Sequence, residues 1–186
     1  MIKTNKTSYA ILGMLSIAPM SGYEIKQTTR QSAANFWSES DGQLYPTLTK
    51  LTALGLVTCT TDKASNRAKN TYHITALGLA ELKTWLAQEP ETHLVRSEFM
   101  LQLFFGANVA PKISLEHVQA YRYRTKMLLA QLTKTEEQLA DKNQDSAHLP
   151  YWCITIQYGI QTAEAKLNWC DDTIKTLEIM QQGEKS

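Results

Sequence analysis

The sequence predicts a mainly α-helical protein that is built from two parts of different character. Residues 1–89 combine short helical patterns with two strand-like segments, whereas residues 90–186 contain helical patterns alone. The chain has 186 residues, of which 43% are hydrophobic, so it can bury a real core in one ordinary domain or two small ones. We expect two domains with a boundary near Pro90.

Two short helices are predicted before residue 35. Tyr9, Leu12 and Leu15 lie on one face of the first helix. Ser21 and Glu24 have the spacing of a capping box, in which each side chain hydrogen-bonds to the backbone of the other residue. This pair predicts the start of the second helix.

A third helix is predicted between Ser40 and Gly55. Ser40 and Gln43 have capping-box spacing, and Gly55 can end the helix in a left-handed conformation. Four leucines at steps of four, three and three predict one buried face: Leu44, Leu48, Leu51 and Leu54. The opposite face carries small and polar groups: Gly42, Pro46, Thr49 and Lys50, with Gln43 and Tyr45 at its margins.

Beyond residue 55 the pattern changes to alternation. LVTCT and NTYHIT are rich in β-branched and aromatic residues, and they flank the polar segment DKASNRAK. We expect a β-hairpin with a long tip that carries Lys63, Arg67 and Lys69. Thr75 then caps a fourth helix. The order helix, helix, helix, strand, strand, helix is typical of a winged helix-turn-helix.

The second part is predicted to hold a short helix at about 97–106, a long helix from Pro111 and a last helix from Pro150. Apolar residues along the last helix step by fours and threes, which indicates a sustained seam. Two antiparallel helices of this length need each other and a second subunit to bury their apolar stripes. The residues that we assign to dimerisation are Ile156, Ile160, Leu167 and Ile174.

The charge is distributed unevenly along the chain. Residues 1–88 hold nine Lys/Arg and five Asp/Glu, a net +4, whereas residues 89–186 hold ten and thirteen, a net −3. A basic front half fits contact with a polyanion, although a split this small also arises by chance.

Several classes of protein lack support in the sequence. No apolar run of about 18 residues is present, so we expect no membrane span. Three scattered cysteines and the lack of an export signal favour a cytoplasmic location. No HExxH, paired CxxC, phosphate loop or nucleophile elbow occurs, so we expect no enzyme, metal or cofactor.

Three blocks of the chain resemble the PadR family of transcriptional regulators. They are ILGMLSIAPMSGYEI at 11–25, FWSESDGQLYPTLTKLTALGLV at 36–57 and TYHITALGLAEL at 71–82. PYWCITIQYGI at 150–160 resembles the C-terminal dimerisation domain of the longer members. The resemblance implies a homodimer that binds a roughly palindromic DNA operator, more often as a repressor than as an activator.

The third helix has side chains that suit a DNA groove. Gln43 can pair with adenine, and Lys50 can reach a phosphate or guanine. The helix residues that we assign to DNA contact are Ser40, Gln43, Tyr45, Thr47, Thr49 and Lys50. The resemblance implies minor-groove contact from the hairpin tip by Lys63, Arg67 and Lys69. Gln43 serving only as a cap, and tip residues serving only solubility, are the alternatives.

Family members often respond to small flat or phenolic molecules, so the resemblance implies an effector in or near the helical part. The residues expected there are Phe104, Tyr121, His148 and Trp152. Packing of the dimer core is the alternative role for these rings.

Two other functions remain open from the sequence alone. One is a helical protein-interaction adaptor that keeps the winged fold without binding DNA, which the modest charge of the front half would suit. The other is an enzyme that uses the aromatic residues as a substrate pocket.

Overall fold

The computed structural model describes residues 5–32, 36–37, 41–62, 69–91, 96–142 and 145–183. The chain divides into two compact units, Met1–Thr92 and His93–Ser186. The sequence placed the boundary three residues earlier, between residues 89 and 90. No helix among the described residues is both long and apolar enough to cross a lipid bilayer.

The first unit is a winged helix-turn-helix, as the element order predicted. Its three strands form an antiparallel sheet in the order β1-β3-β2. The elements are α1 (Lys6–Ile17), β1 (Met20–Ser21), α2 (Gly22–Ser32), α3 (Asp41–Ala53), β2 (Val57–Asp62), β3 (Lys69–Ile74) and α4 (Ala76–Leu86). The two-residue β1 was not predicted, because a segment this short has no periodicity to detect.

The predicted helix boundaries rest on local hydrogen bonds that the structure contains. Ser21 N donates to Glu24 Oε2 over 2.8 Å and Glu24 N donates to Ser21 Oγ over 3.3 Å, which confirms the capping box. Gly78 N donates to Thr75 Oγ1 over 3.0 Å at the start of α4. Gly55 has a φ of 69° and ends α3, as predicted.

The leucine face of α3 forms the centre of the first core. Leu44, Leu48 and Leu51 are buried against Ile11 and Leu12 of α1 in one hydrophobic cluster, and Leu54 packs at its edge. Burial of such a side chain contributes about 1.5–3 kcal/mol. The exposed surface of α3 is therefore held on a rigid base.

Helix α4 lies unusually close to the segment that follows α3. A Cβ atom at Gly78 would lie 2.1 Å from the Leu56 carbonyl oxygen. Thr75 reinforces this approach, since its N donates to Leu56 O over 3.1 Å and its Oγ1 donates to Gly55 O over 2.8 Å. The end of α3 is thus fixed to the start of α4.

The second unit contains helices and no strand among its described residues. It contains α5 (Glu98–Phe104), a short 3₁₀ helix (Gly106–Asn108), α6 (Pro111–Lys142) and α7 (Leu149–Gly183). Arg122 Nε donates to Asp171 Oδ1 over 2.5 Å, and the Gln157 amide donates to Glu136. Residue numbers fall along one helix as they rise along the other, so α6 and α7 run antiparallel, as predicted.

The apolar seam of α7 packs mainly against α6 of the same chain. Ile156, Ala163 and Cys170 are buried there, together with Val118 and Leu132 of α6. Ile156 is only 2% exposed in the single chain, so its assignment to direct dimer contact is wrong. The other three residues of that assignment are half-buried: Ile160, Leu167 and Ile174.

Candidate nucleic-acid interface

The exposed face of α3 brings together most of the helix residues that were predicted to contact DNA. We call it the α3 face, and it comprises Gln43, Tyr45, Pro46, Thr49 and Lys50. Thr49 Oγ1 donates to Tyr45 O over 3.1 Å, so its hydroxyl keeps lone pairs that can accept a hydrogen bond. The α3 face therefore presents an amide, two hydroxyls and a cation.

Thr47 does not belong to this face. Its side chain is 4% exposed, so the prediction that it contacts base edges is wrong. Leu44, Thr47, Leu48 and Leu51 follow the i, i+3, i+4, i+7 pattern of a core-facing stripe. That pattern is present in the sequence, but Thr47 was assigned to DNA contact because it carries a hydroxyl group.

Tyr45 lies directly against the first residue of α2. A Cβ atom at Gly22 would lie 2.7 Å from Tyr45 Cε1, 3.3 Å from Cζ and 3.4 Å from Oη. The absence of a side chain at position 22 therefore lets the ring pack on the α2 backbone. The ring remains 56% exposed. It bridges the two helices and leaves an edge available for a ligand.

The Tyr45 phenol lies near the Tyr72 phenol of the hairpin. Burial raises the pKa of the Tyr72 phenol, and the neighbouring Cys59 thiol and Tyr45 phenol contribute to that rise. Tyr72 lies opposite Cys59 in the sheet and opposite Met20 of β1. The α3 face and the sheet thus meet at Tyr45.

Lys69 lies in β3 rather than in the hairpin tip where the sequence placed it. It is the first residue of the strand, opposite Asp62, and its Nζ lies 2.9 Å from Glu24 Oε1. Hydrogen bonds from Ser21 and Lys69 lower the pKa of the Glu24 carboxyl from 4.5 to about 2. Three further predicted DNA residues lie outside the described residues: Ser40, Lys63 and Arg67.

The four residues expected at an effector site do not converge. His148 stacks on Trp152 with ring centroids 5.7 Å apart, whereas Tyr121 packs on Phe99 and lies 6.4 Å from Trp169. Trp152 and Trp169 are separated by about 25 Å along α7. Phe104 is 81% exposed and contacts Phe105. Within one chain the four residues therefore lie in separate places, and their assignment to an effector stays a prediction.

A cavity of about 710 Å³ lies beside Tyr121, between α5, α6 and α7. Lys166 is the one charged residue among those that line it. The lining residues are Ser97, Met100, Tyr121, Tyr158, Gln161, Thr162, Ala165, Lys166 and Trp169. Positions 158, 162, 165 and 169 follow helical spacing, so the sequence shows that these side chains share one face of α7. It does not show which other helices line the cavity with them.

Metal ligation has no support among the described residues, where no group of three or more His, Cys, Asp or Glu side chains could hold an ion.

Comparison with known proteins agrees with this architecture. Residues 11–84 match the Transcriptional regulator PadR-like family, and residues 95–178 match the Virulence activator alpha C-term family. The first unit therefore belongs to the PadR-like family. This confirms the resemblance that the sequence motifs indicated.

Relatives within the family include a protein of Bacillus subtilis (strain 168) named negative transcriptional regulator PadR. It is 39% identical over 99 residues, which cover 52% of this chain and 54% of the relative. The match therefore spans about half the length of that curated relative.

Two crystal structures of Bacillus subtilis PadR share the fold. The complex with operator DNA has a TM-score of 0.80 at 26% identity and covers 93% of this chain and 99% of its own. The complex with p-coumaric acid has a TM-score of 0.72 at 26% identity and covers 92% of this chain and 98% of its own.

Proposed function

We propose that this PadR-like protein is a sequence-specific DNA-binding transcriptional regulator that inserts α3 into a major groove. The observation that carries the proposal is the α3 face, a set of exposed polar groups held on buried leucines beside a β-hairpin. A major groove about 12 Å wide admits one helix with such a face. The likeness to Bacillus subtilis PadR in complex with operator DNA supports the same function.

The proposed contacts follow from the chemistry of each exposed group. Gln43 has the amide that can donate to and accept from one adenine. Tyr45 and Lys50 donate to phosphate oxygens, which fixes the position of the helix in the groove. Thr49 contacts a base edge or a thymine methyl group. Ser40, which precedes α3 in the sequence, and Lys63 and Arg67, which lie between β2 and β3 in the sequence, complete the proposed set.

We also propose that the protein is a homodimer. In the second unit several large apolar side chains remain exposed in the single chain, which is typical of a surface that binds another protein. They include Phe104, Phe105, Tyr123, Tyr151, Ile154, Tyr158 and Ile179. The half-buried Ile160, Leu167 and Ile174 would extend this surface.

A dimer of this kind would place two α3 helices in major grooves about 34–36 Å apart, or a multiple of that spacing, on a roughly palindromic operator. Occupancy of a promoter would exclude polymerase and so repress transcription. The word negative in the name of the Bacillus subtilis relative supports repression over activation.

The cavity between α5, α6 and α7 is the proposed effector site. Trp169 and Tyr121 offer faces to an aromatic ring, and Lys166 offers a charge to a carboxylate. An aromatic acid would fit this combination, and Bacillus subtilis PadR has been crystallised with p-coumaric acid. The acid would release DNA by binding the DNA-incompetent geometry of the dimer more tightly.

The effector proposal is tested by tryptophan fluorescence during titration with p-coumaric acid. Trp169 lines the cavity, whereas Trp152 stacks on His148 at the start of α7. We expect Trp169→Phe to abolish the quenching and Trp152→Phe to retain it. The reverse pattern would place the site at the start of α7. A lack of quenching in the wild type and in both variants would exclude binding of p-coumaric acid.

The DNA proposal is tested by selection of bound fragments from a random duplex library, followed by anisotropy titrations at several salt concentrations. We expect an enriched site with two related half-sites, and an affinity that falls steeply with salt because counterions are released at each phosphate contact. Lack of salt-dependent binding to any duplex would instead favour the protein-interaction adaptor.

A further inference from the structure

We infer that Glu24 is a specificity-determining residue, because it holds Lys69 in an ion pair. This ion pair anchors the outer end of the β2–β3 hairpin. It also keeps the Lys69 ammonium from binding backbone phosphates, which are the same in every DNA sequence. The inference rests on the proposed DNA-binding function. It assigns Lys69 a positioning role in place of the minor-groove contact that the family resemblance implied.

The Glu24 carboxylate engages two parts of the first unit at once. Oε2 accepts hydrogen bonds from Ser21 N over 2.8 Å and from Ser21 Oγ over 2.7 Å. Oε1 accepts from Lys69 Nζ over 2.9 Å. The capping box therefore fixes the carboxylate on α2, and the carboxylate in turn fixes a side chain of β3.

Among the described residues, the sheet narrows from three strands to two at this end of the hairpin. Strand β1 pairs with β3 only at Tyr72 and Thr71, whereas β2 and β3 continue together to the pair of Asp62 and Lys69. A two-stranded ribbon is marginally stable without packing. The contact between Lys69 and α2 therefore holds the outer rungs of the hairpin beyond the last rung that β1 supports.

The charge of Lys69 also has a consequence for binding. Its side chain is 54% exposed, so an unpaired ammonium at this position could approach the phosphates of any duplex. Such contacts raise affinity without reading sequence. Pairing with Glu24 cancels that charge locally, and sequence-dependent contacts of the α3 face then account for more of the total affinity.

Glu24→Gln removes the carboxylate charge and keeps an oxygen that can accept from Ser21. Binding to random duplex should rise about fivefold, because an exposed charge interaction contributes up to about 1 kcal/mol. The slope of log K against log salt should steepen by about 0.9, which corresponds to one added phosphate contact. Operator affinity should not rise in parallel, because the hairpin loses its anchor.

Two further variants isolate the contribution of Lys69 to DNA binding. Lys69→Met should leave the salt slope for random duplex unchanged, because the paired ammonium makes no phosphate contact, but should weaken operator binding severalfold. The double variant Glu24→Gln, Lys69→Met should return random-duplex affinity to the wild-type value. Lys69→Met alone does not touch the capping box, so it remains informative even where Glu24→Gln unfolds.

The matched control is Glu91→Gln, which breaks an exposed ion pair with Lys6 over 3.1 Å in the same unit and changes the net charge equally. It should leave the salt slope unchanged. An equal steepening in Glu91→Gln, or a slope reduced by about one in Lys69→Met, would overturn the inference. Salt-dependent operator binding by the wild-type protein establishes the DNA function separately from these outcomes.

Discussion

Replacing Gly22 with alanine tests whether the position of Tyr45 governs operator affinity. A Cβ atom at position 22 would lie 2.7 Å from Tyr45 Cε1. Carbon atoms in contact prefer a separation of about 3.5 Å or more, so the ring must withdraw by roughly 0.8 Å. Because the ring is half exposed, it can move toward solvent without disturbing the leucine core.

The expected loss falls on DNA binding rather than on folding. A hydrogen bond from the Tyr45 hydroxyl to a phosphate would contribute about 1.5–3 kcal/mol, so its loss lowers operator affinity roughly 10- to 150-fold. The free energy of unfolding should change by less than about 1 kcal/mol, because Gly22 is buried but the atoms that its added Cβ meets belong to the exposed Tyr45 ring.

Anisotropy titration with the operator measures the first quantity, and urea unfolding measures the second. Tyr45→Ala removes the ring, and the double variant Gly22→Ala, Tyr45→Ala then reports whether alanine at position 22 acts through it. Adding Gly22→Ala to Tyr45→Ala should change affinity by less than about twofold. If Gly22→Ala lowered operator affinity equally with and without the Tyr45 ring, the reasoning would be refuted.

The other predictions address single groups of the two units. Lys50→Ala should weaken binding to all duplexes and lower the salt slope by about one, and an unchanged slope in the titrations would exclude a phosphate contact. Gln43→Ala should relax base preference at one operator position by about 1–3 kcal/mol, which selection from a randomised operator measures; an unaltered preference would leave Gln43 as a helix cap. Leu167→Glu should yield monomers in sedimentation with poor operator affinity, and a persistent dimer would contradict the role of that half-buried residue. Acid should abolish the stabilising contribution of Glu24. Its pKa is lowered from 4.5 to about 2, so the contribution is fully present above about pH 4.5 and is lost as the pH falls through 2. The carboxylate is 44% exposed, which limits the effect to under about 1 kcal/mol. Urea midpoints of wild type and Glu24→Gln should converge over that range, and a constant difference would count against it.

The parts of the fold that follow from neighbouring residues could be predicted from the sequence. The capping box at Ser21 and Glu24, the cap at Thr75 and the helix end at Gly55 each depend on residues within three positions along the chain. The leucine face of α3 could be predicted for the same reason, since helical periodicity fixes which side chains share a face.

Contacts between distant segments could not be predicted in the same way. Periodicity along α7 indicates that a face is buried, but it does not distinguish α6 of the same chain from a second subunit, and Ile156 was misassigned for that reason. Lys69 was placed in the tip because nothing local shows that β3 begins there or that Glu24 lies beside it. The cavity likewise depends on how α5, α6 and α7 meet.

The approach of α4 to Leu56 provides an internal standard for large-scale mutagenesis of this chain. Any other residue at position 78 brings a carbon against a backbone oxygen that cannot move aside, so that position should be depleted in a screen for folded protein as strongly as in a screen for activity. At Gly13, inside α1, an added Cβ meets no atom within 4 Å, and alanine should be tolerated in both screens. Positions depleted only in the activity screen then mark the residues that act on DNA rather than on folding.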